Sequence, residues 1–320
     1  MSTRLELARK SVKGMLAPIP TVFDGSGETD LAMMERLTDW YLKAGVHGFF
    51  VLGSQGQGAA CRIDQRKAVA ETLVRRVGGR VPVIVQIGAV DPYSSSELAE
   101  HARGIGADAI AVVGPYYYSD RSEWELIEHY KAIDQAADMP MLLYNNPQYS
   151  GYSCPPSFMK TLSNTLPNVF GAKLADGHVG QASNYLSVLS RDFSVFIPLA
   201  QMIPGMQIGV RGSIASGAPV TVPEVGVALI DAIWAGDMKR ALSIEILLLE
   251  HAERMAPLRN YGRRTTLEGL RMRGLDVTEY PRWPTREMTA EHLALYQRNI
   301  SQLLDELSSI TSNMPEQHKR

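Results

Sequence analysis

Apolar positions along the chain follow two alternating rhythms. Short runs rich in Val, Ile and Phe are apolar at nearly every position, and between them lie longer stretches where apolar residues recur every three or four positions among charges. The first rhythm marks strands buried on both faces, the second amphipathic helices packed over them. Strands are therefore expected at Met15–Val22, Val46–Leu52, Val81–Gly88, Asp108–Val113, Met141–Asn145, Val169–Lys173, Phe193–Ile197 and Val210–Ser216. Helices are expected at Leu31–Ala44, Asp64–Val77, Ser94–Ile105 and Glu123–Ala137, with Asp30 and Asp64 as N-caps. Such alternation builds a parallel sheet, and eight strands close a (β/α)8 barrel. A doubly wound open sheet satisfies the same alternation. From Val222 onward strand signals cease: helical spacing covers Val222–Trp234, Met238–Arg254 and Thr289–Ser308, linked by an Arg- and Pro-rich piece, Pro257–Pro284. The fold expected is an α/β TIM barrel over residues 1–220 with a C-terminal helical appendage over 221–320.

Composition narrows the function. With 320 residues, 45% hydrophobic and 21% charged, the chain can bury a large core. Lys and Arg total 32 against 34 Asp and Glu, a formal charge of −2, which is not the footprint of a nucleic-acid binder. Cys61 and Cys154 cannot make a disulfide framework, and no CxxC or HExxH spacing marks a metal site, so a reducing, cytoplasmic setting is expected. Met1–Lys13 carries four basic residues without an apolar stretch, and no apolar run reaches the roughly 18 residues of a membrane span. Neither export nor membrane insertion is expected.

Barrel enzymes place their chemistry at the C-terminal ends of strands. There, Lys173 alone among the lysines sits inside a strand-like run, Val169-Phe170-Gly171-Ala172-Lys173-Leu174-Ala175. A buried ammonium is costly unless it is paired or sheds its proton, and a neutral amine attacks carbonyls. The bland alternative is a lysine snorkelling to solvent from the strand edge. Tyr144, followed by Asn145-Asn146-Pro147, ends another strand, where a phenol could shuttle protons for imine formation or simply pack in the core. The turn Gly53–Gly58 follows a strand. It lacks the third small residue and downstream acid of a dinucleotide fingerprint and the Gly-Lys-Ser/Thr of a Walker loop. It suits an anion cradle for a small organic acid, or a tight turn needing positive φ. Tyr116, Tyr117 and Tyr118 lie past the fourth strand at the same mouth, where a hydroxyl could join Ser54 and Tyr144 in a relay or the rings could anchor an interface.

These pieces, in this order, resemble the dihydrodipicolinate synthase and N-acetylneuraminate lyase family of class I aldolases. The resemblance spans nearly the whole chain: Gly14-Met15-Leu16-Ala17-Pro18-Ile19-Pro20-Thr21, Gly53-Ser54-Gln55-Gly56-Gln57, Pro115-Tyr116-Tyr117, Tyr144-Asn145-Asn146-Pro147, Gly171-Ala172-Lys173 and Gly212-Ser213-Ile214-Ala215-Ser216. It implies that Lys173 forms an imine with a 2-oxo acid and that Tyr144 moves protons. It also implies that Ser54 binds the substrate carboxylate and Tyr144, that Tyr117 completes the relay from a neighbouring subunit, and that a backbone carbonyl at Ile214 lies near the imine. Gly53 and Gln55 fall in the carboxylate cradle. No metal or organic cofactor is implied, and the assembly implied is a homotetramer built from dimers.

Three departures mark a divergent member. Tyr149 stands where the synthase has an arginine that clamps the second substrate's carboxylate, and a phenol cannot replace that charge. Pro198-Leu199-Ala200-Gln201 replaces the polar segment after the seventh strand, which removes support for a polyhydroxylated substrate, with Ala200 in the pocket wall. Gln55-Gly56-Gln57 replaces a Thr-Gly-Glu element. What remains is a Schiff-base lyase for a 2-oxo acid, cleaving it or condensing it with an aldehyde, or a dehydratase of a 2-keto-3-deoxy acid using the same imine. Two other classes compete: a non-catalytic binder of 2-oxo acids, and a barrel enzyme holding phosphate at Gly212–Gly217.

Overall fold

A computed structural model describes residues 3–312; the ends of the expected N-terminal and C-terminal segments, residues 1–2 and 313–320, lie outside them. Eight strands, β1 (Gly14–Ala17), β2 (Gly48–Val51), β3 (Val83–Gln86), β4 (Ala109–Val113), β5 (Met141–Asn145), β6 (Val169–Leu174), β7 (Ser194–Ile197) and β8 (Gly212–Ser213), form a closed barrel in sequence order. Each pairs in parallel with its neighbours, and β1 with β8, so the open sheet is excluded. Every strand falls inside or beside its expected run, though most are shorter. β1 stops at Ala17, before Pro18 and Pro20, which have no N–H to give a ladder.

Two apolar layers hold the ring. Alternate strand residues face outward to the helices, among them Val51, Val85, Val112 and Leu143. The others fill the barrel, with Leu16, Phe50, Ile84, Ala111, Leu142 and Phe196 all buried. The leucine, isoleucine and phenylalanine side chains contribute about 1.5–3 kcal/mol each when fully buried. The amphipathic segments form helices at Leu31–Lys43, Ile63–Val77, Pro92–Gly104 and Glu123–Ala137. Asp30 caps the first, accepting from Met33 N–H. At the second the N-cap is Arg62; Asp64 lies inside the first turn, where it forms an ion pair with Arg62 at 3.0 Å. The N-terminal helix Arg4–Ser11, which the periodicity does not predict, joins Ala8 and the following Val12 to the inner layer as a plug.

Helix Pro223–Trp234 packs against β1, and helices Met238–Arg254 and Ala290–Ser312 pack on one another. The piece Pro257–Pro284, expected as a linker, contains a short 3-10 stretch, Ala256–Tyr261, and a helix, Arg264–Met272. Only Leu267, Gly269 and Leu270 of that helix are buried, which is too weak an apolar stripe to read among its arginines.

Candidate active site

The phase of β6 decides where its lysine points. In a regular strand Phe170, Ala172 and Leu174 would share a face, because side chains alternate. Here Phe170 lies in the inner layer, whereas Ala172 and Leu174 lie in the outer one. The register shows the cause: Met141 pairs with Val169 but Leu142 with Gly171, a bulge of one residue. A bulge re-aims the side chains beyond it. Lys173 is thereby turned inward, opposite Tyr144 on the adjacent strand. Gly171 permits the bulge, since a Cβ there would collide with the Ser194 carbonyl oxygen and its Cβ.

Lys173 is buried, and among the described residues no carboxylate pairs with it. Its amine lies 4.1 Å from the centre of the Tyr144 ring and 4.6 Å from that of Phe50, and those two rings meet edge to face. The snorkelling alternative is excluded. Tyr144 Oη lies 3.0 Å from Ser54 Oγ and accepts from Asn146 Nδ2 at 2.8 Å. Burial pushes the Tyr144 pKa up, but the positive charge of Lys173 and the hydrogen bonds from Ser54 and Asn146 outweigh it and hold the phenol below its ordinary value. Lysine and tyrosine thus form a pair between which a proton can pass.

Sequence reasoning passed over Asn146. The alternation that turns Tyr144 inward carries Asn146 to the same side, whereas Asn145 turns outward to bond Tyr185 and Cys154. Asn146 Oδ1 is buried without a partner.

The turn after β2 is explained by close packing. A Cβ on Gly58 would strike the Leu52 carbonyl oxygen, and the positive φ values fall on Leu52 (60°) and Gln57 (53°) rather than on the turn's glycines. The amides of Gln57 and Gly58 bond back to Ser54 and Gly53, so they are spent within the turn. Among the described residues the Gly53, Ser54, Gln55 and Gly56 amides make no such bond, which leaves the first half of the turn for an anion cradle. Gln57 donates to the Thr21 carbonyl at 3.4 Å and accepts from Arg282 N–H at 2.8 Å, a double role that glutamate could not fill. Gln55 donates to Thr266 Oγ1 at 3.3 Å, and its carbonyl accepts from Tyr280 Oη at 3.0 Å, which ties the turn to the C-terminal helices.

A cavity of about 600 Å³ opens above these groups. Ser54, Tyr144, Asn146, Lys173, Tyr149, Ala200 and Ile214 line it from the barrel side, and His251, Met255, Arg259, Arg263, Thr266 and Tyr296 line it from the helical side. The helical contribution was invisible in the sequence, since no motif marks it. Pro198 and Leu199 keep the wall beside Ala200 apolar, while Gln201 turns away and accepts from Val179 N–H at the start of the preceding helix, Val179–Val188. Burial, with Arg254 nearby, pulls His251 down to about 4, so it is neutral near pH 7. Tyr117 is not part of the cavity: at φ +79° and 82% exposed, it stacks edge-on with Tyr118. Among the described residues no group of three or more His, Cys, Asp or Glu could hold a metal ion, and no helix is long and apolar enough to cross a membrane.

Residues 11–303 match the Dihydrodipicolinate synthetase family. The chain belongs to that family. It is 31% identical to the 4-hydroxy-tetrahydrodipicolinate synthase of Pseudomonas syringae pv. syringae over 250 residues, 78% of this chain and 82% of the relative. It is 30% identical over 241 residues, 74% of this chain and 79% of the relative, to YagE of Escherichia coli K12, provisionally named a 2-dehydro-3-deoxy-D-gluconate aldolase. The crystal structure of YagE in complex with pyruvate superposes with a TM-score of 0.83 at 27% identity, covering 92% of this chain and 99% of that one. The wild-type sialic acid aldolase of Ruminococcus gnavus superposes with a TM-score of 0.84 at 25% identity, covering 94% and 100%.

Proposed function

We propose that this protein is a Schiff-base lyase acting on a 2-oxo acid, in the manner of a pyruvate aldolase. Lys173 Nζ attacks the keto carbon; Tyr144 gives a proton to the keto oxygen, recovers one from the nitrogen and passes it to the same oxygen, which departs as water and leaves the phenol as phenolate beside the cationic imine. The cationic imine then draws electrons from the neighbouring carbon, which loses a proton or a carbon fragment. The resulting enamine adds to an aldehyde in the condensing direction, and hydrolysis frees the amine. Ser54 orients the phenol, and the Ser54 and Gln55 amides, with Gly53 behind them, receive the substrate carboxylate. Ile214 borders the imine.

One observation carries this reading: a buried amine without a carboxylate partner, facing a phenol that Ser54 and Asn146 both hydrogen-bond. The pyruvate-bound YagE relative supports the donor substrate. A division at residue 220, with the barrel before it and an appendage over the mouth after it, is part of the proposal for the described residues, with helix Pro223–Trp234 as the joint against β1. A homotetramer in the cytoplasm is part of the proposal, with Tyr117 reaching a second copy's relay.

The test is borohydride reduction in the presence of pyruvate, read by intact mass and peptide mapping. An adduct on Lys173 is expected; its absence at saturating pyruvate sinks the reading. Assaying pyruvate with a panel of aldehydes, beside 2-keto-3-deoxy acids followed for water loss, then separates aldolase from dehydratase.

A further inference from the structure

Tyr149 leaves the mouth without the cation that the resemblance would place there, yet a guanidinium lines the same cavity from another part of the chain. Arg263, just before helix Arg264–Met272, shares the cavity with Tyr149, Ser54 and Lys173. One edge of it is fixed: Nη1 donates to Tyr280 Oη at 3.0 Å and lies 3.4 Å from Gln55 Oε1. Its plane lies over the Trp283 ring at 5.5 Å. Of the neighbouring arginines, Arg264 and Arg271 pair with Glu268 and Arg273 with Glu224, Arg282 donates to the Ala60 carbonyl and Gln65, and Arg259, which also lines the cavity, is exposed and has no such fixed edge. Among the described residues no carboxylate pairs with Arg263. Burial pulls its pKa down, but the Tyr280 and Tyr149 phenols outweigh that and hold it above its ordinary value. A half-buried, pre-oriented fork without a counter-ion is a receptor for a planar anion.

We propose that Arg263 binds an anionic group at the end of the substrate remote from the imine, and that the substrates are 2-oxo acids carrying a distal carboxylate. The inference rests on the Schiff-base reading and adds the substrate class to it. The apolar wall of Pro198, Leu199 and Ala200 makes the linking chain aliphatic rather than hydroxylated.

The experiment measures half-saturating concentrations for borohydride trapping on Lys173, which needs no turnover. Probes are 2-oxoglutarate, 2-oxoadipate and 2-oxopimelate, each against its methyl-terminated analogue, with a phosphate-terminated 2-oxo acid to separate carboxylate from phosphate as the anion. At the best chain length the acid should trap at a concentration about 10- to 100-fold lower than its methyl analogue, the range of a hydrogen-bonded charge. Arg263→Gln, which keeps a donor toward Tyr280, should abolish that advantage, read as the ratio of acid to methyl analogue within the same variant so that any change common to both cancels, and Arg263→Lys should retain part of it. Equal trapping of acid and methyl forms at every length, preference for phosphate over carboxylate, or an advantage surviving in R263Q overturns the assignment. Should R263Q fail to fold, the comparison in the wild-type protein decides. Failure to trap even pyruvate overturns the lyase reading, and this one with it.

Discussion

The two walls of the cavity are built on different principles. On the barrel wall Lys173 and Tyr144 are neighbours in strand register, buried, and backed by Phe50 and Asn146. On the helical wall Arg263 is half-buried, Arg259 is exposed, and both come from a segment of short helices. Closing a ring fixes the first set to within small displacements, whereas helices laid over the mouth can exchange side chains without disturbing the ring. Bond-making needs the former kind of support and substrate selection tolerates the latter.

If that division holds, damage to the barrel wall should remove chemistry and damage to the helical wall should change only which substrate is preferred. The largest effect belongs to Lys173→Ala, which should eliminate the pyruvate adduct and all turnover while leaving the melting temperature nearly unchanged. Residual turnover through another amine would break the comparison at its root. Tyr144→Phe keeps the ring beside the amine and removes only the proton carrier, so turnover should fall by about 10² to 10⁴. Trapped pyruvate should remain detectable, only forming more slowly, and stopped-flow rates of imine formation check this.

Gly171→Ala tests the wall's geometry without touching a reacting group. A methyl driven against the Ser194 carbonyl must shift β6 or β7, at about 1–3 kcal/mol of stability. If the bulge aims Lys173, turnover should fall about 10²-fold, the usual consequence of a misplacement near 1 Å. Thermal melts and kinetics are read together; a destabilised protein with normal turnover would show that the bulge does not set the aim.

The same division explains what could be read from the sequence. Strands buried on both faces spell themselves out as unbroken apolar runs, and a lysine within one is conspicuous, so the barrel, Lys173 and Tyr144 were legible. Strand ends were not, because Pro18 and the two-residue β8 stop pairing short of the apolar runs. The bulge was hidden because Phe170-Gly171 looks the same in either phase. Arg263 was hidden because nothing in Pro257–Pro284 distinguishes an unpaired arginine from its paired neighbours until the glutamates are placed. Asn146 was in plain view beside Tyr144, but its role depends on which of two adjacent asparagines turns inward, and that is a matter of strand phase.

Asn146 gives the smallest and most specific effect. Its amide donates to Tyr144 Oη at 2.8 Å and so favours the phenolate. Asn146→Leu is close in size, removes that donor, and also removes the buried Oδ1 that has no partner, so folding should suffer little. The sign follows from the charge: with one stabilising donor gone, the Tyr144 pKa rises back toward its ordinary value. Donation by the phenol fails as pH climbs through that pKa, so the alkaline limb of kcat/KM, which in the wild type should begin below the ordinary tyrosine range, should move to higher pH. At neutral pH the rate should fall only several-fold, because Ser54 still bonds the oxygen. Phenolate absorbance, titrated in wild type and variant with Tyr144→Phe as the blank, reads the shift directly. A limb that stays in place, or moves to lower pH, would show that Asn146 fills space beside the phenol without tuning its proton.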